Sequence, residues 1–258
     1  MDIPHQLHTS LSTTTTPLPS LPWLTSLTTS RHPPPPLASL LATARTRLLC
    51  SDLTTPNLLD PQYAATHTLP PHLQQTHAAT RETKLAQDVV VQVLDIEDIS
   101  RSTWEQVEEL EAVARGEGTR GREVVRLPTS TNNGNGAGED GEGGVGEGTQ
   151  DPGQGQAQQQ QSGGGSSKNS THKLVVQDCK GQKVHAIELK RVERLAVGKT
   201  FIGEKILLRA GTVVARGAVL LDPALCVVLG GKVEAWHRAW VDGRLARLRE
   251  AAGAERRG

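Results

Sequence analysis

Between Thr129 and Ser170 the chain holds just three apolar residues, Ala137, Val145 and Ala157. Thirteen of its twenty-six glycines fall in that window, and Gln, Asn and acidic residues fill most of the rest. Such a stretch cannot bury a core, so residues 129–170 are expected to be disordered and solvated. Any fold must be assembled from the sequence on either side. On the N-terminal side, Gln87–Ile96 reads QDVVVQVLDI, half of it Val or Ile, which suits a buried, pleated strand. On the C-terminal side, Lys173–Asp178 (KLVVQD) predicts a strand and Asp178-Cys179-Lys180-Gly181 a turn. Gln182–Lys190 is a second strand, with Val184, Ala186 and Glu188 facing one way and His185, Ile187 and Leu189 the other. Lys205–Arg209, Val213-Val214, Ala218–Leu221 and Cys226–Leu229 complete the set, and Gly230-Gly231 ends it.

Helical patterns flank and interrupt these strands. Ser102-Thr103-Trp104-Glu105 is a capping box that opens a short acidic helix through Trp104, Val107, Leu110 and Ala114, with Gly116 as its stop. Arg122–Leu127 reads as an extended segment. After the last strand, Val233, Trp236, Trp240, Val241, Leu245 and Leu248 recur at helical spacing, with Arg238, Arg244, Arg247 and Arg249 on the other face. The two tryptophans are expected to pin this helix to the strands. Twelve of the fifteen prolines lie in the first 71 residues. Residues 1–20, rich in Ser, Thr and Pro, are expected to be a disordered tail. Leu37, Leu40, Leu41, Ala44 and Leu48 mark a helix within a small helical domain at 21–80, too small to stand without support. The fold class expected is mainly β with helices: an OB-fold barrel at 81–250 carrying a long disordered insertion at about 99–171, preceded by the helical domain and followed by a C-terminal helix and a tail at 251–258. An SH3-like barrel fits the same strand pattern.

Charge is uneven. Basic and acidic residues number 4 and 3 in residues 1–81, 7 and 16 in 82–171, and 17 and 9 in 172–258, giving segments of +1, −9 and +8. A basic C-terminal third suits phosphates or an acidic partner, and equally a solvated mixed surface. The three cysteines, Cys50, Cys179 and Cys226, are far apart and fit neither a disulfide framework nor a metal site. No stretch is apolar enough to predict a membrane span, and the N-terminus lacks the basic-then-apolar order of a signal peptide. Two GxGxxG matches, Gly136–Gly141 and Gly141–Gly146, follow no strand and sit among acids, so they do not read as a nucleotide site. No catalytic constellation and no cofactor motif is visible, and the chain reads as a non-enzyme. The strands carry no Phe, Tyr or Trp, which removes the base-stacking by which OB-folds grip single strands. Lys173, Lys183, Lys190, Arg191, Lys199 and Lys205 are candidate phosphate contacts for weak, salt-sensitive DNA binding. The alternative function is a single-stranded nucleic-acid-binding OB-fold protein acting on its own.

One block is more specific. Gly217–Glu234, GAVLLDPALCVVLGGKVE, resembles the signature of the RecQ-mediated genome instability protein 1 family, in which a strand, a proline turn, a strand ending in LGG and a helix follow in order. KLVVQDCKGQKVHAIELKRV is similar to the family's hairpin and IGEKILLRAG to its next strand, although Glu204 stands where the family usually has Thr. The Trp23-Leu24 segment, the Leu-rich helix and Asp52-Leu53 resemble its N-terminal helical domain more loosely. The resemblance implies a non-catalytic scaffold in the nucleus, a subunit of a complex with topoisomerase III and a RecQ-family helicase. That complex dissolves double Holliday junctions without crossover, in DNA repair, replication and homologous recombination. It further implies that the insertion between the first two barrel strands reaches into the topoisomerase gate and favours decatenation. The insertion residues expected to make that contact are Ser102, Trp104, Val107, Leu110, Val124 and Leu127. With no second OB-fold expected after the terminal helix, no contact with a further small OB subunit is expected.

Overall fold

The computed structural model describes residues 2–29, 35–71, 73, 82–116 and 170–255. They fall into two compact units, Met1–Glu111 with Gly163–Gly258, and Ala112–Ser162. Of the second unit, residues 112–116 are described. Gly116 there takes φ 78° and donates its N–H to the Val113 carbonyl, the left-handed stop read from sequence.

The first unit begins with helices α1 (Ile3–Ser12), α2 (Leu21–Thr29), α3 (Leu37–Leu49) and α4 (Pro61–Thr66). Helix α1 corrects the expectation of a disordered tail at 1–20. Leu7 and Leu11, one turn apart, are buried with Leu24, Leu27, Leu40 and Ala44 in a cluster shared by three helices. Two leucines amid Ser and Thr are too few to nucleate a helix alone, but α2 and α3 supply the rest of the apolar contact. The chain after α1 is stitched down as well, since Ser20 N–H donates to the Leu58 carbonyl and Asp60 N–H to that of Leu18, each at 2.9 Å. Asp60 caps α4 by accepting from the Gln62 and Tyr63 amides.

Eight strands follow: β1 (Glu82–Lys84), β2 (Val89–Asp98), then, after α5 (Thr103–Ala114), β3 (His172–Gln177), β4 (Lys183–Glu188), β5 (Lys205–Leu208), β6 (Val213–Ala215), β7 (Ala218–Leu221) and β8 (Cys226–Gly230). Their order is β1-β6-β7-β4-β3-β2-β5-β8, antiparallel except for the parallel β4–β7 pair. β7 and β8 are consecutive in the chain but far apart in the ladder, so the turn through Asp222–Leu225 curls the sheet round its core. At that turn the Leu221 carbonyl accepts from Leu189 and the Leu225 carbonyl accepts from Arg209. This is the OB-type architecture expected. QDVVVQVLDI and KLVVQD pair directly, as β2 and β3. β1 was not foreseen; its three residues are all exposed and lack any apolar signal.

β2 is buried on both faces, which is why it reads as an unbroken apolar run. Val89, Val91 and Val93 face the barrel core, while Val90 lies outward with Leu207 against Leu48, Leu53, Leu58 and Leu59 of the helical region. A bulge between Val93 and Asp95 shifts the phase, so that Ile96 again points inward. Helix α6 (Glu234–Glu255) covers this corner. Trp240 joins the barrel core and its indole Nε1–H donates to Asp95 Oδ1 at 2.6 Å, with Trp236 packed alongside. The tryptophans do pin the helix. It runs on through Ala252, which is buried, so residues 251–255 are helix rather than tail.

Where the helical region meets the sheet, Gln177, Gln92 and Lys205 are direct cross-strand neighbours. Gln92 is fully buried; it accepts from Leu53 N–H at 2.9 Å and donates to Asp52 Oδ1 at 2.7 Å and to Gln177 at 3.1 Å. Burial opposes ionisation of Asp52, but hydrogen bonds from Gln92 and Thr54 and the charge of Lys205 hold its carboxyl below the usual range. Lys205 is 0% exposed and its ammonium donates to the Gly203 carbonyl. Burial pushes it down to about 8, against the pull of Asp52. Two motif glycines are explained by close approach. Gly203 (φ 84°) lies against Val233, and Gly231 (φ 91°) against the backbone carbonyl of Leu49 at the end of α3. Glu204, at the atypical position, accepts from Phe201 N–H at 3.1 Å and closes the turn before β5.

Gly231→Ala is therefore expected to lower stability by about 2–4 kcal/mol in urea titrations, combining a strained backbone with a clash against Leu49. The Lys205 ammonium loses its proton near 8 in the folded chain and near the ordinary 10.5 when exposed. The unfolded state then binds more protons between those values, and stability through this group rises with pH across that window. Measured against Lys205→Met at each pH, the wild type is expected to gain about 1–3 kcal/mol over that range.

Candidate functional site

The insertion leaves the barrel after β2 and returns at β3, and its two feet are fastened together. Ile99 N–H donates to the Thr171 carbonyl at 2.9 Å, extending the β2–β3 ladder by one step beyond Asp98↔His172. Beneath the returning foot lies a buried ionisable cluster. His172 and Glu188 are both buried, with His172 Nδ1 and its backbone N at 2.7 and 2.8 Å from Glu188 Oε2. Val192 N–H donates to the other carboxylate oxygen at 2.9 Å, and the Arg191 guanidinium lies 3.3–3.4 Å from both. Burial opposes ionisation of Glu188, yet the His172 ring and the Val192 and His172 amides outweigh it and hold the carboxyl below its usual range. The strand alternation grouped Glu188 with Val184 and Ala186 on one face, and the structure shows that this face is the inward one. An inward carboxylate requires partners, and its place in one row with Val184 and Ala186 is the signal that could have pointed to this cluster.

The departing foot carries α5. Its capping box forms as read: Glu105 N–H donates to Ser102 Oγ at 3.2 Å and Ser102 N–H to Glu105 Oε2 at 3.1 Å. Gln106, buried, donates to the carbonyls of Asp98 and Arg101 and ties the helix to the end of β2. Glu111 accepts two bonds from Arg249 of α6, at 2.8 and 3.0 Å, and Arg101 pairs with Glu109 at 2.6 Å. Arg244 and Arg247 of α6 each place a guanidinium 5.6 Å from the Trp240 ring centre. The basic face of α6 is thus engaged with Trp240 and the acidic α5, a pairing legible afterwards in the opposite charges of the two helices.

Of the six insertion residues expected at a partner contact, Trp104 is 47% exposed, its indole N–H donating to Glu108. Leu110 is half-buried, and Ser102 serves as the cap. Val107 is 1% exposed, which corrects its assignment: it faces inward and packs α5 down. Val124 and Leu127 lie outside the described residues. Ile99, not among the six, is 49% exposed. By continuation of the β3–β4 register it lies in one outward row with Thr171 and Leu189, the latter 60% exposed. Both side chains follow the ends of strands, where sequence alternation alone does not say whether anything covers them.

The six candidate phosphate contacts do not form one patch. Lys205 is corrected outright, since a fully buried ammonium cannot reach a phosphate. Arg191 is turned onto the buried Glu188 cluster, Lys190 pairs with Asp222 at 2.7 Å, and Lys173 pairs with Glu97 at 3.2 Å. Lys173 and Lys183 share the outer face of the β3–β4 hairpin at its opposite ends, and Lys199 is exposed on a loop. Among the described residues no group of three or more His, Cys, Asp or Glu is placed to hold a metal ion, and no helix is long and apolar enough to cross a membrane.

Glu188→Ala is expected to cost about 3–5 kcal/mol at neutral pH, because it strands buried donors on His172 and Val192. A carboxyl with a depressed folded pKa stabilises above its unfolded value, here 4.5, and loses that contribution as pH falls through the folded one. The gap between wild type and variant in denaturant titrations is therefore expected to narrow below pH 4.5.

Comparison with known proteins agrees with this architecture. The family description "RMI1, N-terminal OB-fold domain" matches residues 69–244, and "RMI1, N-terminal helical domain" matches residues 11–56. The chain is also similar to RecQ-mediated genome instability protein 1 of Schizosaccharomyces pombe (strain 972 / ATCC 24843), 31% identical over 81 residues. That match covers 31% of this chain and 34% of the relative's own length. The OB-fold match alone spans more than half of the chain, from before β1 into α6. The chain therefore belongs to the RMI1 family and carries that family's N-terminal helical and OB-fold domains.

Proposed function

We propose that this protein is a scaffold subunit of a nuclear complex of topoisomerase III and a RecQ-family helicase, and that it stimulates decatenation and double Holliday junction dissolution. Family membership supports the setting of genome maintenance. The single observation that carries the mechanism is the foot of the insertion. There α5 is clamped to the barrel through Gln106 and to α6 through Glu111–Arg249, while Trp104 remains exposed. A helix fixed at its root presents that side chain in a defined position, so less ordering entropy is lost on docking. Ile99 and Leu189 add apolar surface on the outward row beside the root. In this reading the barrel docks on the topoisomerase and the insertion engages an open gate. The insertion favours the open state only by its differential affinity for it.

The test uses the purified full chain with topoisomerase III in pull-down and decatenation assays. Deleting Ser102–Leu127 is expected to leave topoisomerase binding intact and to abolish most of the stimulation, whereas deleting Asn132–Ser167 leaves both unchanged. Stimulation that survives the first deletion would contradict the gate role, and loss of the pull-down with wild-type protein would contradict the partner.

A further inference from the structure

A second surface lies on the outer side of β3, β4 and β7. A groove of about 480 Å³ runs there, floored by Val175 and Ala218 and rimmed by Lys183, His185 and Arg216. Among the described residues none with a carboxylate lines it. The rim is set by backbone pairing. β4 runs parallel to β7 with His185 opposite Ala218, so the Arg216-Gly217 turn that precedes β7 stands at the mouth of the groove beside His185.

That turn carries a second, independent signal. Ala215 pairs with Ala218, leaving a two-residue hairpin loop in which both residues have positive φ, 48° for Arg216 and 79° for Gly217. Loops of this kind favour Asn, Asp or Gly at the first position, because a larger side chain is strained there. An arginine held in that conformation places a guanidinium on the rim at a cost that the hairpin itself does not require. Gly217 is what a two-residue turn wants; Arg216 is not.

We propose that this groove binds an extended acidic peptide, with aliphatic side chains on the Val175–Ala218 floor and carboxylates at Arg216, His185 and Lys183. The chemistry favours a peptide over a nucleic-acid strand. β3, β4 and β7 carry no Phe, Tyr or Trp on which successive bases could stack, and phosphates alone leave the apolar floor unused. An extended peptide alternates its side chains between two directions, which lets acidic and aliphatic residues reach the rim and the floor from one strand.

Fluorescence anisotropy with the full chain tests this, using labelled peptides of alternating Asp and Val, the same peptide with Lys in place of Asp, and oligothymidylate. Saturable, salt-sensitive binding of the Asp-Val peptide is expected, and no binding of the Lys-Val peptide. Arg216→Gly removes the charge and relieves the strained backbone, so it is expected to hold or raise the Tm while weakening the Asp-Val peptide about tenfold. Lys199→Glu, a charge reversal outside the groove, is expected to leave affinity within about twofold. Failure of the acidic peptide to bind, or equal affinity for wild type and Arg216→Gly, would overturn the proposal. So would tighter binding of oligothymidylate with the same dependence on Arg216, which would reassign the groove to nucleic acid.

Discussion

The pairing of β2 with β3 is the constraint on which the rest of the molecule depends. β2 is the strand that both the barrel core and the helical region use, one on each face. Its partner in the ladder begins only at His172, after the excursion from Ser100 to Ser170. Closing so long a loop in place of a short hairpin costs roughly 2–3 kcal/mol of chain entropy. The local structure answers that cost at the point of closure. The Ile99–Thr171 hydrogen bond and the buried His172–Glu188 pair fix the two feet, and α5 is fastened by Gln106 and Arg249. Fastening also has a functional consequence. It converts the first part of a long insertion from a free tether into a positioned helix, so whatever follows emerges from a defined place on the barrel.

The second organising feature is the polar row Gln177–Gln92–Lys205 beneath the helical region. An apolar patch of this size would hold α3 and the following turn against the sheet without choosing a register. Gln92, bonded to both Leu53 N–H and Asp52, permits one seating only. The buried Lys205 is costly, but it is matched by Asp52 above and the Gly203 carbonyl beside it. Gly231, pressed against the Leu49 carbonyl, completes the contact from the end of β8. The helical region and the barrel are thus one folding unit, as a helical region too small for its own core requires.

Much of this was legible in the chain. The strands from QDVVVQVLDI to CVVLG, the α5 capping box and its Gly116 stop, and the Trp236/Trp240 stripe follow from period and local chemistry, which are short-range properties. The family signature was legible in the same way, and two of its glycines, Gly203 and Gly231, mark backbone approached too closely for any side chain. What failed did so for long-range reasons. α1 hides in low-complexity sequence since its two leucines gain meaning only against α2 and α3. Val107 and Lys205 carried the right residue type for a contact and a phosphate, yet packing turned both inward.

By itself, then, the sequence determined the strands from β2 to β8, the helices α5 and α6, their order, the place of the insertion and the absence of Phe, Tyr and Trp from the strands. Those are fixed by periodicity, turn residues and composition. Only the tertiary structure decided which faces are covered: that the arginines of α6 engage α5 and Trp240, that Glu188 is satisfied by a histidine sixteen residues away, and that the Arg216 turn stands over an apolar groove. Each of these rests on partners distant in the chain. Burial and charge pairing are properties of the assembled surface, not of any one segment.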